Sequence, residues 1–168
     1  MEPSLFPDLI RILITCEHGG NQIPDAYRTL FENQKELLES HRGYDPGALS
    51  IARFLSRRLG VSLYSSTTSR LVVELNRSLG HPNLFSAFTR SLPSSTKQEI
   101  LQSFYHPYRQ QVEKSIQREI SRNHTLLHLS IHSFTPILEG IPRNTDIGLL
   151  YDPRRRDEQC LAQRWRQI

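Results

Sequence analysis

Cysteine is scarce in this chain, with two in 168 residues, Cys16 and Cys160. Two thiols cannot form the disulfide framework of a small secreted scaffold, so both are expected to be reduced and stability must come from a packed core. Long apolar runs are also missing. No stretch approaches the roughly 20 residues that span a bilayer, and the segment Leu9 to Cys16 is broken by Arg11. Met1 to Asp8 holds acids and prolines but no base ahead of an apolar core, which is not how a secretory leader is built. The expectation is a cytoplasmic protein with no membrane partner. Gly-x-Ser-x-Gly, the Walker loop and Gly-x-Gly-x-x-Gly are absent as well, which argues against a serine-hydrolase elbow and against the common nucleotide cradles. Excess charge is small, a formal +4. The densest cluster, Arg154 to Arg156, is followed at once by Asp157 and Glu158. No aromatic-basic motif accompanies it, so no nucleic-acid partner is expected.

What is present fits a globular chain: 37% hydrophobic and 23% charged residues, at a length that suits a single domain over residues 1–168. Leu9 to Cys16, bounded by Pro7 and by Gly19-Gly20, predicts a buried strand. Ala48 to Leu59 has apolar residues at helical spacing and a stop at Gly60. Val61 to Tyr64, Leu71 to Leu75, Leu126 to Ile131 and Ile147 to Tyr151 predict further strands. Ser94 to Asn123 predicts one long helix, with Ser95 or Thr96 as N-cap and Glu99 placed for a capping box. His106-Pro107 is expected to kink it, because proline removes a helix hydrogen bond. Pro153 and the charged run open a last helix reaching Ile168. Alternating strands and helices argue for an α/β fold with a largely parallel sheet.

Ligands of open α/β sheets bind beyond the carboxyl ends of the strands. Glu17, His18 and Gly19-Gly20 follow the first strand. Asn76-Arg77 follow Leu71 to Leu75, His132-Ser133 follow the third, and Tyr151-Asp152 follow the fourth. Imidazoles at two strand ends suit Zn²⁺, which takes three protein ligands at catalytic sites. His18 and His132 are therefore the leading candidates. The third ligand is expected to be Asp45, for which a helix N-cap is the competing role. Glu17 is the alternative, although neighbouring strand side chains point to opposite faces. Arg77 suits a carboxylate clamp, since guanidinium grips such groups bidentately, and Asn76 can add an amide hydrogen bond. Arg70, Arg90, Arg109 and Arg143 are further candidates for that cleft. His81, His106, His124 and His128 are expected to be structural or solvent-facing, and Cys16, inside an apolar strand, is not expected to be an activated nucleophile.

Five segments carry a resemblance: Cys16 to Asn21 (CEHGGN), His41 to Ala48 (HRGYDPGA), Ser69 to Arg77 (SRLVVELNR), Ser130 to Pro136 (SIHSFTP) and Asp146 to Pro153 (DIGLLYDP). Together, and in this order, they resemble the N-formylglutamate amidohydrolase family, within the wider group of zinc carboxypeptidases and aspartoacylase-like deacylases. The resemblance implies a three-layer mixed, largely parallel sheet with helices on both faces. It implies Zn²⁺ or another divalent metal, and hydrolysis of the amide bond of a small N-acyl amino acid such as N-formylglutamate. His18 matches the first ligand, Asn76-Arg77 the carboxylate-binding pair and His132-Ser133 the later ligand. Arg70, Ser133 and Arg143 join Asn76 and Arg77 as the expected substrate-binding set. The carboxypeptidase pattern has Glu three residues after the first His, where this chain has Asn21, so the second ligand must come from elsewhere. The expected general-base Glu belongs to a late strand that the chain does not reach, and Glu139 and Asp152 do not match its motif. The expectation is thus a domain truncated at its C-terminus, with no catalytic residue assigned. The alternative is an impaired remnant or regulatory module that binds a small carboxylate ligand. The oligomeric state is open.

Overall fold

The computed structural model describes residues 10–138 and 140–167. Expectations that fall on Met1 to Leu9, Glu139 and Ile168 lie outside the described residues. Two compact units divide the chain between Phe134 and Thr135.

The first unit is built around strand β1, Ile10–Cys16. A 3₁₀ turn at Asp25–Phe31, a short helix α1 at Lys35–Glu39 and helix α2 at Ala48–Leu59 follow. Strand β2, Leu63–Ser65, then pairs with β1 in parallel. Strand β3, Thr125–Ser130, pairs with the other edge of β1, also in parallel. The sheet order is β2-β1-β3. Alternation along β1 sends its side chains to two cores. Ile14 and Cys16 are buried with Ala48 and Ala52 of α2. The small Ala side chains let that helix approach the sheet closely, and Gly60, in the left-handed region at φ 64°, ends it. Leu13 is buried on the opposite face with Tyr108, Val112 and Ile100. Helices therefore cover both faces of a parallel sheet, the α/β class that the alternating pattern implied.

The long helix differs in detail from its expectation. It begins at Ser94 after Pro93, with no side-chain cap bond, so neither Ser95 nor Thr96 caps it. Helix α3, Ser94–Ile100, passes through a π-turn at Leu101–Tyr105 into α4, His106–Ser121. The wider turn, in which the His106 N–H donates to the Leu101 carbonyl, comes just before Pro107. It makes room for a residue that cannot donate and would crowd the preceding turn.

Two expected strands do not form. Leu71, Val72, Val73 and Leu75 are buried, but their backbone runs through turns. Its polar groups are satisfied by side chains and turn bonds rather than by a ladder: Ser86 Oγ donates to the Leu71 carbonyl at 2.5 Å, Thr89 Oγ1 to the Val72 carbonyl at 3.0 Å, and the Glu74 N–H to the Leu84 carbonyl at 2.9 Å. Ile147 to Tyr151 is irregular, with Ile147 84% exposed. A β-branched apolar run registers burial or extension, and neither requires a ladder.

The second unit holds a short antiparallel pair, β4 at Ile137–Leu138 and β5 at Ile141–Pro142, and helix α5 at Arg156–Trp165. Among the described residues no helix is long and apolar enough to cross a membrane.

Candidate metal centre

The carboxyl ends of β1 and β3 are adjacent because those strands pair from Ile10↔Thr125 to Thr15↔Ser130. His18 and His132 lie just beyond those ends. Gly19 turns the chain where a Cβ would come within 2.8 Å of the Ser66 carbonyl oxygen, so a side chain is excluded there. Asp45 arrives from the loop before α2. Its N–H donates to the His18 carbonyl at 2.9 Å, which ties the loop to the end of β1. The helix cap position belongs to Gly47, so the Asp45 carboxylate is not spent as an N-cap.

Three atoms converge. The Nδ1 atoms of His18 and His132 lie 3.3 Å apart. Asp45 Oδ2 lies 3.5 Å from the first and 2.8 Å from the second. His18 and Asp45 are each only 2% exposed. Among the described residues these three form the one His/Cys/Asp/Glu group able to hold a metal ion. Ligands about 2.0–2.1 Å from a tetrahedral Zn²⁺ sit roughly 3.3 Å from each other. Two of the three edges are near that length, and the third is at hydrogen-bond distance.

Charge supports the same fit. Glu17, Asp45 and Glu74 are carboxylates around the cluster, and Arg70 is the guanidinium that pairs with the last two. Three anions against one guanidinium leave a surplus that a divalent cation matches, and buried charge without compensation is costly. Arg70 Nη1 lies 3.2 Å from Asp45 Oδ1 and donates to the His41 carbonyl at 3.3 Å. Its Nη2 contacts the His18 ring. Its Nε lies 3.3 Å from Glu74 Oε2 but is poorly aligned, and remains without a hydrogen bond.

Glu74 was not anticipated. Its Oε1 is in short contact with His18 Nε2, so it accepts the proton on the far side of the ring and leaves Nδ1 to face the cluster. The available signal was a single acid inside the apolar run Leu71 to Leu75. Burial raises the Asp45 pKa, but hydrogen bonds from His132 and His18 and the charge of Arg70 outweigh it and hold the carboxyl far below its usual range. Burial likewise raises the Glu74 pKa, but the His18 hydrogen bond and charge, the Asn76 N–H and Arg70 outweigh it, and the pKa is lowered. For His18, burial acts downward, and the Asp45 and Glu74 carboxylates reverse it, raising the pKa.

The other expected site residues divide. Ser133 donates its N–H to Asp45 Oδ2 at 3.3 Å, and its hydroxyl is 3.2 Å from His41 Nε2. The Asn76 carboxamide lies 3.5 Å from His132 Nε2. Arg77 is exposed, and among the described residues its guanidinium has no hydrogen-bond or ion-pair partner. Glu17 is buried outside the three-atom cluster, on the Nε2 side of His132 at 3.7 Å. Arg109 pairs with Glu113 at 3.5 Å along α4. Arg143 belongs to the second unit, where its N–H donates to the Pro136 carbonyl. His124 pairs with Glu119, His128 with Thr15, and His106 packs edge-on against Tyr105. Burial, with Glu17 and Asp45 nearby, pushes the Cys16 thiol up to about 12, so it is no nucleophile.

A parallel α/β sheet with two imidazoles and a carboxylate gathered beyond its strand ends defines an α/β protein with a candidate divalent-metal centre. The family model for N-formylglutamate amidohydrolase matches residues 10–167, and the chain belongs to that family. A solved structure, the crystal structure of gene product Atu2144 from Agrobacterium tumefaciens, is similar to it at a TM-score of 0.77 and 31% identity. The match covers 84% of this chain and 59% of that one, so the chain spans well under two thirds of the length of that protein. No curated protein matches the sequence.

Proposed function

We propose that the chain carries the metal centre for hydrolysis of the amide bond of an N-acyl amino acid such as N-formylglutamate. The observation behind this reading is the convergence of His18 Nδ1, His132 Nδ1 and Asp45 Oδ2. His18, Asp45 and His132 would hold Zn²⁺ or another divalent ion, whose chemistry is to activate water near neutral pH and polarise a carbonyl. The chain's own groups do the rest. Glu74 orients His18. Arg77, one residue beyond the carboxamide that reaches His132, has a free guanidinium for the amino acid's carboxylate. Asn76 and Ser133 offer polar groups beside the scissile bond, and Arg70 balances the acids beneath it.

One observation favours the second reading, a module that binds a small carboxylate without turnover. Each acid described at the centre is already engaged: Asp45 in the cluster, Glu74 by His18 and Arg70, Glu17 by two hydroxyls. A general base contributes about 10²–10⁴-fold, and none of these is free to act as one. Elemental analysis of the purified protein, followed by formate release from N-formylglutamate and other N-acyl amino acids, separates the readings. Bound metal with turnover supports the hydrolase. Bound metal with carboxylate affinity and no turnover supports the module, and a protein that takes up no divalent metal refutes both as metal centres.

A further inference from the structure

Glu17 sits one residue before His18, yet its side chain serves the other imidazole. Strand parity explains this. Thr15 pairs with Ser130 across β1 and β3, so Glu17 and His132, each two residues further on, continue the same face of the sheet. That face looks toward α4, which supplies Tyr108.

The polarity of the contacts then fixes a proton. Glu17 is 6% exposed, and an ionised carboxylate only accepts hydrogen bonds. Tyr108 OH donates to Oε1 at 2.9 Å and Ser130 Oγ donates to Oε2 at 2.8 Å. A serine hydroxyl has one proton. With that proton committed to Glu17, Ser130 Oγ can only accept at its remaining contact, His132 Nε2 at 2.9 Å. His132 Nε2 must therefore carry a proton, and the ring is held with Nδ1 toward His18 and 2.8 Å from the Asp45 carboxylate, to which Nδ1 donates.

We infer that Glu17 is a positioning residue: acting through Ser130, it keeps His132 Nε2 protonated and holds the ring in the orientation whose Nδ1 faces the metal centre. It is not itself a ligand. Glu74 does the same for His18 by direct contact, so each imidazole has its own carboxylate behind it. The consequence for metal binding rests on His132 being a ligand, as proposed above; the Nε2 proton does not.

The test uses the full chain and Zn²⁺ competed against a chromophoric chelator, with the His132 ring followed by ¹H–¹⁵N long-range correlation. Glu17→Gln keeps the volume but lets either its carbonyl or its N–H face Ser130, so the fixed polarity is lost. Zn²⁺ affinity should fall about 10–100-fold in Glu17→Gln and in Ser130→Ala. The double variant should be no weaker than the weaker single, because both act along one route. Ser130→Thr, which keeps the hydroxyl, should stay near wild type. In the metal-free protein, His132 Nε2 should carry a proton in wild type and only part of the time in Glu17→Gln, whatever the state of Nδ1. Unchanged affinity, or additive losses in the double variant, overturns the inference. If Glu17→Gln does not fold, Ser130→Ala set against Ser130→Thr decides by the same affinity criterion. If the wild-type chain binds no Zn²⁺, the hydrolase reading fails. The Nε2 proton then decides this inference alone, and an unchanged His132 Nε2 signal in Glu17→Gln sinks it.

Discussion

His18 and His132 present their Nδ1 atoms to each other at 3.3 Å across a sequence separation of 114. Two imidazoles with this approach, joined by a carboxylate that touches both, form a group that could hold a metal ion, and the proposed divalent cation can be tested by its effect on stability. Binding to the folded state alone stabilises by about 2.7 kcal/mol at a hundredfold excess over Kd. For a chain of this size that is roughly 5–10 °C in Tm. Saturating Zn²⁺ should produce a rise of that order, and chelation should reverse it. Asp45→Asn retains the shape but not the charge and should abolish most of the rise. A melting curve indifferent to Zn²⁺ and to chelator would count against the centre.

Arg77 carries the proposed selectivity for acids. Its exposed guanidinium competes with water for a substrate carboxylate, and a hydrogen bond to a charged group contributes about 1.5–3 kcal/mol. Arg77→Ala should raise KM for an N-acyl amino acid roughly 10–100-fold with a smaller change in kcat, the signature of lost binding common to ground and transition states. Arg77→Lys should recover only part of it, since an ammonium cannot grip bidentately. Equal KM for the free acid and its amide in the wild type would remove Arg77 from this role.

How far the site was readable from sequence depended on which physical signal carried each part. His18 and His132 stood out because polar residues following apolar strands mark the binding edge of a parallel sheet, and β1 and β3 are indeed neighbours. Helix α2 was legible to the residue, since its apolar period and Gly60 stop are local features. Leu71 to Leu75 misled, because hydrophobicity reports burial and the satisfaction of its backbone by Ser86 and Thr89 is a tertiary event. Glu74 was missed for the same reason: inside an expected strand its charge looked incidental, whereas a turn delivers it to His18. The service of Glu17 to His132 needed the β1–β3 register, which no local pattern contains.

The thiols should separate cleanly by chemistry. Cys16 is buried and its pKa is raised, so the reactive thiolate is suppressed across the physiological range, whereas Cys160 is exposed. A chromogenic disulfide reagent at pH 8 should therefore titrate one thiol in the native protein and both in denaturant. Because the shift is upward, moving from pH 7 to pH 9 should still leave Cys16 unreactive. Rapid native labelling of Cys16 would mean that the α2 face of the sheet opens far more readily than its packing against Ala48 and Ala52 implies.

The loop that delivers Asp45 depends on a residue with no side chain. A Cβ on Gly43 would fall 2.2 Å from the Leu38 carbonyl oxygen, a backbone atom that cannot rotate away. The Gly43 carbonyl also accepts from Ser69 Oγ at 2.8 Å and from the Arg70 N–H at 3.2 Å. It therefore anchors the segment carrying Arg70 and Glu74 to the segment carrying Asp45. Gly43→Ala must push the two apart to relieve the clash, and overpacking of this kind costs about 1–3 kcal/mol. The expected outcome is a Tm lower by roughly 2–10 °C together with weaker Zn²⁺ binding, since Asp45 and Arg70 move with the loop. Gly47→Ala is the comparison. Its added Cβ meets nothing, and its cost comes only from the positive φ of 81°, so it should lower Tm while leaving Zn²⁺ affinity nearer wild type. If the two substitutions weaken metal binding equally, Gly43 is not the joint that aligns the acids with the imidazoles.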